Sequence, residues 1–170
     1  MGRETAVSLC GWFPLISLRI LAVGDHKDKW VAEGCEHFIK MLSRFATIDM
    51  QPLRSLKNSP RLSPDEIKRA EAALFSPHLT KGLVVALSDS GTQYDSPAFA
   101  RMIEKWQTSS KGTITFLIGG PYGLDPSILK RADIVLSLSK LTFSHQLVRL
   151  TLLEQLYRAF SILHGTDYHK

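Results

Sequence analysis

Five short runs rich in β-branched and aliphatic residues alternate along this chain with longer stretches of helical spacing. The runs are Ser17–Val23, Thr47–Leu53, Gly82–Leu87, Thr113–Ile118 and Ile134–Leu136. Each has the length of a buried strand rather than of a helix. Helix starts between them are marked by side-chain chemistry. Ser63-Pro64-Asp65-Glu66 offers a serine cap, a proline at the first helical position and a glutamate that closes a capping box. Ser96-Pro97 and Asp125-Pro126 repeat the cap-then-proline pattern. Parallel strands need a crossover, and a helix is the crossover that also covers the sheet. The expected class is therefore α/β: a mostly parallel sheet with helices on both faces. Ligands of such sheets sit in the crevice at the carboxyl ends of the strands.

A chain of 170 residues, 44% hydrophobic and 22% charged, suits one domain with a real core. No linker, repeat or low-complexity stretch divides it. Its net charge of +5 fits either attraction to a polyanion such as RNA or simple solubility. No run of Lys and Arg marks a basic tail, so a basic patch has to be assembled by folding. Cys10 and Cys35 form no CxxC or Cys/His cluster, which argues against a metal site and against a disulfide framework. A reducing, cytoplasmic setting follows. Residues 1–16 are too short and too interrupted to span a membrane and make a poor signal peptide. They read as an extension outside the fold, which leaves 17–170 as the domain.

Three loops follow strands and are candidates to hold a ligand. Ile118-Gly119-Gly120-Pro121-Tyr122-Gly123-Leu124 is either a close-approach site for a ligand or a tight strand-to-helix turn. It is neither a Walker loop nor a dinucleotide fingerprint. Leu138-Ser139-Lys140-Leu141-Thr142-Phe143-Ser144-His145 mixes apolar and hydroxyl side chains. It is either a wall for an adenine or a plain loop capped by Ser144 or Thr142. Leu87-Ser88-Asp89-Ser90-Gly91 is a carboxylate-bearing strand end or an ordinary turn.

The last helix, His145–Leu163, carries a polar face of Thr151, Glu154, Gln155, Arg158 and Ser161. Leu152, Leu153, Leu156, Phe160 and Leu163 form its apolar face. Arg149 falls on the apolar side. Either it meets an anionic partner or the helix start is exposed. The tail Gly165-Thr166-Asp167-Tyr168-His169-Lys170 either clamps RNA by stacking and phosphate contact or frays.

Taken in order, these pieces resemble a known family. They are L-R-I-L-A-V-G at Leu18–Gly24, D-S-G-T-Q-Y-D-S-P-A-F-A at Asp89–Ala100, F-L-I-G-G-P-Y-G-L at Phe116–Leu124, L-S-L-S-K-L-T-F-S-H-Q-L-V-R-L at Leu136–Leu150, L-L-E-Q-L-Y-R-A-F at Leu152–Phe160 and a terminal Y-H-K. The sequence is similar to the RlmH (YbeA-like) family of SPOUT enzymes from about Ser17 onward. Those enzymes methylate N-3 of a pseudouridine in large-subunit (23S) ribosomal RNA. The resemblance implies an α/β fold with a C-terminal trefoil knot, S-adenosylmethionine as cofactor, no metal, a homodimer and ribosomal RNA as partner. By position it implies that Leu87, Gly119, Gly120, Leu138, Ser139, Lys140, Leu141, Thr142 and Phe143 line the cofactor pocket. Two residues depart from the family pattern. Ser144 stands where a proline is usual, and Asp167 stands where a proline commonly precedes the terminal Tyr-His.

The reaction so implied removes a proton from a ring nitrogen, which calls for a base or for stabilisation of the anion. His169 is the candidate acceptor, Tyr168 would stack or orient the base, and Arg149 would stabilise the developing anion or bind phosphate. His145 either joins them or supports the last helix. A non-catalytic RNA-binding protein that keeps the fold is the competing reading, and a small-molecule binder of another kind is a second. Intact Gly119 and Gly120 speak against the first.

Overall fold

The computed structural model describes residues 16–25, 28–56, 62–79, 82–110 and 112–169. The elements in order are β1 (Ile16–Val23), α1 (Lys29–Leu42), β2 (Ala46–Leu53), α2 (Pro64–Phe75), β3 (Leu83–Thr92), α3 (Ser96–Ser109), β4 (Thr113–Ile118), α4 (Pro126–Arg131), β5 (Ile134–Leu136) and α5 (His145–Leu163). The strands form one sheet in the order β2-β1-β4-β3-β5. Every neighbouring pair is parallel.

Alternation along the strands divides the core in two, because successive side chains leave opposite faces of a sheet. Leu18, Ile20 and Ala22 of β1 join Val85, Ile114 and Phe116 beneath α1, α3 and α5. Leu21 and Val23 join Val84, Ala86 and Leu117 beneath α2 and α4. Helices thus cover both faces, as the alternation of elements requires. Gly34 of α1 lets α5 come close, since a Cβ there would lie 2.9 Å from a methyl of Leu150.

Local chemistry sets the helix starts. Ser63 and Glu66 form the capping box of α2, with the Ser63 N–H donating to the Glu66 carboxylate at 2.8 Å. Asp125 caps α4 by accepting the Ser127 N–H at 2.8 Å. The cap of α3 is Asp95 rather than Ser96. Pro97 has no N–H to offer, and the Asp95 carboxylate reaches the next amide, that of Ala98, at 2.7 Å.

Other boundaries also differ from expectation. Ile16, placed with the extension, is buried and pairs with Ala46 as the first residue of β1. The expectation for residues 1–15, Cys10 included, lies outside the described residues. β3 runs on past Leu87 to Thr92. Leu87 and Thr92 both face Leu136, so the residues between them leave the ladder while the chain returns to the same partner. Ser161, expected on the polar face of α5, is fully buried. Among the described residues no helix is long and apolar enough to cross a membrane.

Candidate cofactor and active site

β4, β3 and β5 lie side by side. β4 ends at Ile118, β5 ends at Leu136 and β3 leaves its ladder after Leu87, so three loops meet in one place. Together the loops enclose a cavity of about 560 Å³. That is the size range of small-molecule sites, which combine apolar walls with a few placed polar groups. The Gly119–Leu124 turn and the Leu136–Ser139 and Leu141–His145 stretches supply most of the lining, with Leu87–Asp89 and Val148 completing it.

Hydrogen bonds internal to these loops give them their shape. The Ser137 hydroxyl donates to the Ser139 carbonyl at 3.0 Å and accepts from Gln93 Nε2 at 3.1 Å. Ser139 Oγ accepts the Leu141 N–H at 2.9 Å. These two hydroxyls bend the loop. Ser144, in place of the proline that the resemblance leads one to expect, caps α5 by accepting the Leu147 N–H at 3.2 Å.

The glycine turn is folded back on itself. The Gly123 N–H donates to the Gly120 carbonyl at 2.9 Å. A Cβ on Gly119 would lie 2.5 Å from the Gly123 carbonyl carbon, so only glycine fits. Gly123 holds φ at +79°, a conformation that side chains disfavour. Beneath the turn lies Glu71 of α2, buried at 3% exposure. Its carboxylate accepts the Leu56 N–H at 3.2 Å. Burial pushes its pKa up, opposed by the Leu56 and Gly120 N–H groups. Sequence reasoning passed over Glu71. The available signal was its place between Ile67 and Phe75 on the buried stripe of α2.

Of the residues expected around a cofactor, all but Lys140 line the cavity. Lys140 is exposed and absent from the lining, because its neighbours Ser139 and Leu141 turn the loop so that its side chain faces solvent. The four catalytic candidates are not brought together in one chain. His145 lines the cavity. Arg149, one turn further along α5, is fully buried and does not line it.

Arg149 is fully buried, with protein carbonyls as its hydrogen-bond partners. The helix start does not expose it, and protein carbonyls take the place of an anion. Its Nη2 donates to the carbonyls of Val23 and Gly24, each at 2.6 Å. Carbonyls at the end of a strand lack ladder partners, and one guanidinium satisfies two of them. Nε and Nη1 have no hydrogen-bond partner among the described residues. Burial lowers its pKa, opposed by the nearby Cys35 and Asp25.

The tail is docked rather than frayed. Gly165, at φ +63°, ends α5, and the Thr166 N–H donates to the Ser161 carbonyl at 2.9 Å. Tyr168 donates its hydroxyl to Glu154 at 3.2 Å. Its ring lies 4.8 Å from the Arg158 guanidinium and packs edge-on against Tyr157. Burial and the Glu154 charge raise the phenol pKa. His169 is exposed beside it. Neither tail residue lines the cavity of its own chain. Among the described residues no cluster of three His, Cys, Asp or Glu side chains could hold a metal ion.

Comparison with known proteins agrees with this layout. Residues 16–169 match the family model described as "Predicted SPOUT methyltransferase". A protein of Desulforamulus reducens named ribosomal RNA large subunit methyltransferase H is 39% identical over 160 residues, covering 92% of this chain and 100% of the relative. One of the same name from Acetivibrio thermocellus is 40% identical over 157 residues, covering 90% and 99%. Among solved structures, "a probable methylase family protein" from Haemophilus influenzae superposes with a TM-score of 0.52 at 17% identity, over 87% of this chain and 66% of that one. A methyltransferase fold from Legionella pneumophila, solved in complex with the bound cofactor SAM, gives 0.50 at 9% identity, over 85% and 66%. This chain spans about two thirds of the length of those two structures.

Proposed function

The chain belongs to the SPOUT methyltransferase family, and from that premise we propose that it methylates N-3 of a pseudouridine in large-subunit ribosomal RNA. It is an S-adenosylmethionine-dependent ribosomal RNA methyltransferase. The observation that carries the reading is the cavity at the ends of β3, β4 and β5, built from the loops that the sequence singles out.

The residues present fit the cofactor. Leu87, Leu138, Leu141 and Val148 offer apolar contact for a purine, and the loop backbone beside them offers hydrogen bonds to its edge. When bound, S-adenosylmethionine supplies an electrophilic methyl on a sulfonium. The chain supplies position. As N-3 takes the methyl group its proton must leave. His169 is the assigned acceptor, Tyr168 orients the base, and His145 stands at the cavity. Arg149 holds the end of β1 in place, and its Nε and Nη1 have no hydrogen-bond partner among the described residues.

Because Tyr168 and His169 do not line the cavity of their own chain, their part in the reaction calls for a homodimer that sets one tail beside the other subunit's cavity. Leu141, 74% exposed, and Tyr122, 45% exposed, offer apolar surface at the cavity rim for such a contact. The trefoil knot belongs to the same proposal. The cytoplasm, where ribosomes are found, is the proposed location.

The test is a mass map of ribosomal RNA methylation with and without the gene. The expected result is one methylated pseudouridine in large-subunit RNA that disappears without the gene and returns when purified protein and S-adenosylmethionine are added to ribosomes. An unchanged map would overturn the proposal.

A further inference from the structure

Glu71 is the one buried carboxylate among the described residues, and neither methyl transfer nor ion pairing explains it. Its helix, α2, packs on the face of the sheet opposite α5. A carboxylate in that position is costly unless it has donors. Backbone amides from two separate places face it. One is Leu56, in the loop after β2, at 3.2 Å. The other is Gly120, whose N–H favours the charged form and which lines the cavity. The contact is close enough that a Cβ on Gly120 would lie 2.8 Å from Oε2 and 3.3 Å from Oε1. The carboxylate is the nearest obstacle to a side chain at 120, with Val23 Cγ1 next at 3.3 Å. Gly119, by contrast, is confined by the backbone of its own turn.

We propose that Glu71 is a positioning residue for the cofactor site, its carboxylate tying the Gly119–Gly120 backbone to the Leu56 loop and so fixing one side of the cavity from below. The inference rests on that cavity being the cofactor site. A helix side chain that only filled space here would be apolar, as Ile67 and Phe75 are on the same stripe. The carboxylate instead reaches up to a backbone that has to keep one shape while a ligand enters.

Burial raises the Glu71 pKa above its ordinary value, opposed by the Leu56 and Gly120 amides. The contribution of this group to stability is then fully present below the ordinary carboxylate range and is lost as pH rises through the raised pKa. E71Q mimics the protonated side chain. A neutral isostere should not lower Tm at neutral pH, yet it has one acceptor oxygen for two amides. Purely structural and positioning roles therefore separate: the second predicts unchanged or higher Tm together with weaker cofactor binding.

The experiment is calorimetric titration of S-adenosylmethionine into wild type, E71Q, E71A, G120A and E71A/G120A, with thermal unfolding of each. Wild type must bind first, and its failure to bind would sink the site reading rather than this one. E71Q is expected to bind several-fold more weakly at neutral pH and to match wild type on the acid side. In the cycle, G120A should cost ~10-fold or more in wild type but less than about threefold in the E71A background, since contacting residues are strongly coupled. Folded E71A or E71Q with wild-type affinity, or costs that simply multiply in the double variant, would overturn the proposal. If E71A does not fold, E71Q and G120A still decide it by the pH dependence of their affinity relative to wild type.

Discussion

Gly119 and Gly123 sit in one turn for opposite reasons, and replacing each by alanine separates space from conformation. A Cβ on Gly119 would lie 2.5 Å from the Gly123 carbonyl carbon, 2.8 Å from its oxygen and 2.8 Å from the Leu124 nitrogen. All three are backbone atoms, so no rotamer change relieves the clash and the turn has to open. Overpacking of this kind costs about 1–3 kcal/mol. Opening the turn spends that cost at the cavity wall. If it falls on the bound state, cofactor affinity drops ~10-fold for each ~1.4 kcal/mol. A Cβ on Gly123 would meet nothing within 4 Å, but the residue holds φ at +79°. There the penalty is left-handed strain of about 1–2 kcal/mol, carried by the folded state with or without ligand. For a chain of this size each kcal/mol moves Tm by about 2–4 °C. Titration calorimetry with S-adenosylmethionine and thermal unfolding read the two effects. G119A should lose roughly 5-fold or more in affinity, while G123A loses several degrees in Tm and keeps affinity within about threefold. Wild-type affinity in G119A, or the reverse pattern in the two variants, would refute the reasoning.

H169A should lower methylation of ribosomal substrate well beyond any change in cofactor affinity, and wild-type turnover in that variant would end the assignment of His169. K140A should leave cofactor affinity within about twofold, as expected of an exposed side chain outside the cavity wall. R149M removes the single nitrogen that both strand-end carbonyls bond to and should destabilise by about 1–3 kcal/mol for each carbonyl left unsatisfied, and unchanged Tm would contradict that account. Binding to ribosomal RNA, measured by filter retention, should weaken roughly 10-fold or more between low and moderate salt as phosphate contacts release counterions. Salt-independent binding would remove the electrostatic part of the recognition argument.

What the sequence makes legible here is what short-range chemistry decides. The Ser63 and Asp125 caps, the three strands inside the sheet and the two loops that supply most of the cavity lining all follow from neighbours a few residues apart. The α3 cap slipped by one position because Asp95 and Ser96 are both good caps and a proline is tolerated at either of the first two helical positions. The extension of β3 past Leu87 could not be read. Ser88, Asp89 and Ser90 carry no apolar alternation, and the reason the strand continues is a return to Leu136 far along the chain.

The harder cases share one cause. Arg149 announces itself as a charge on an apolar stripe, and Glu71 does so more quietly on α2. Sequence says that each needs partners and cannot say which. The partners of Arg149 are the carbonyls of Val23 and Gly24, more than a hundred residues away. Those of Glu71 are the amides of Leu56 and Gly120. Main-chain groups have no letter of their own, so nothing in the residue string marks a carbonyl left over at a strand end or an amide turned downward in a loop. A charge placed against such groups reads from sequence as a search for an ionic partner, which is why an anion was expected at Arg149. In this fold both buried charges instead tie backbone at the carboxyl ends of parallel strands, where the ladder stops and main-chain groups fall vacant. The site that needs the most fixed backbone therefore lies where the sheet leaves the most backbone to be fixed, and side chains from α2 and α5 fix it from the two faces.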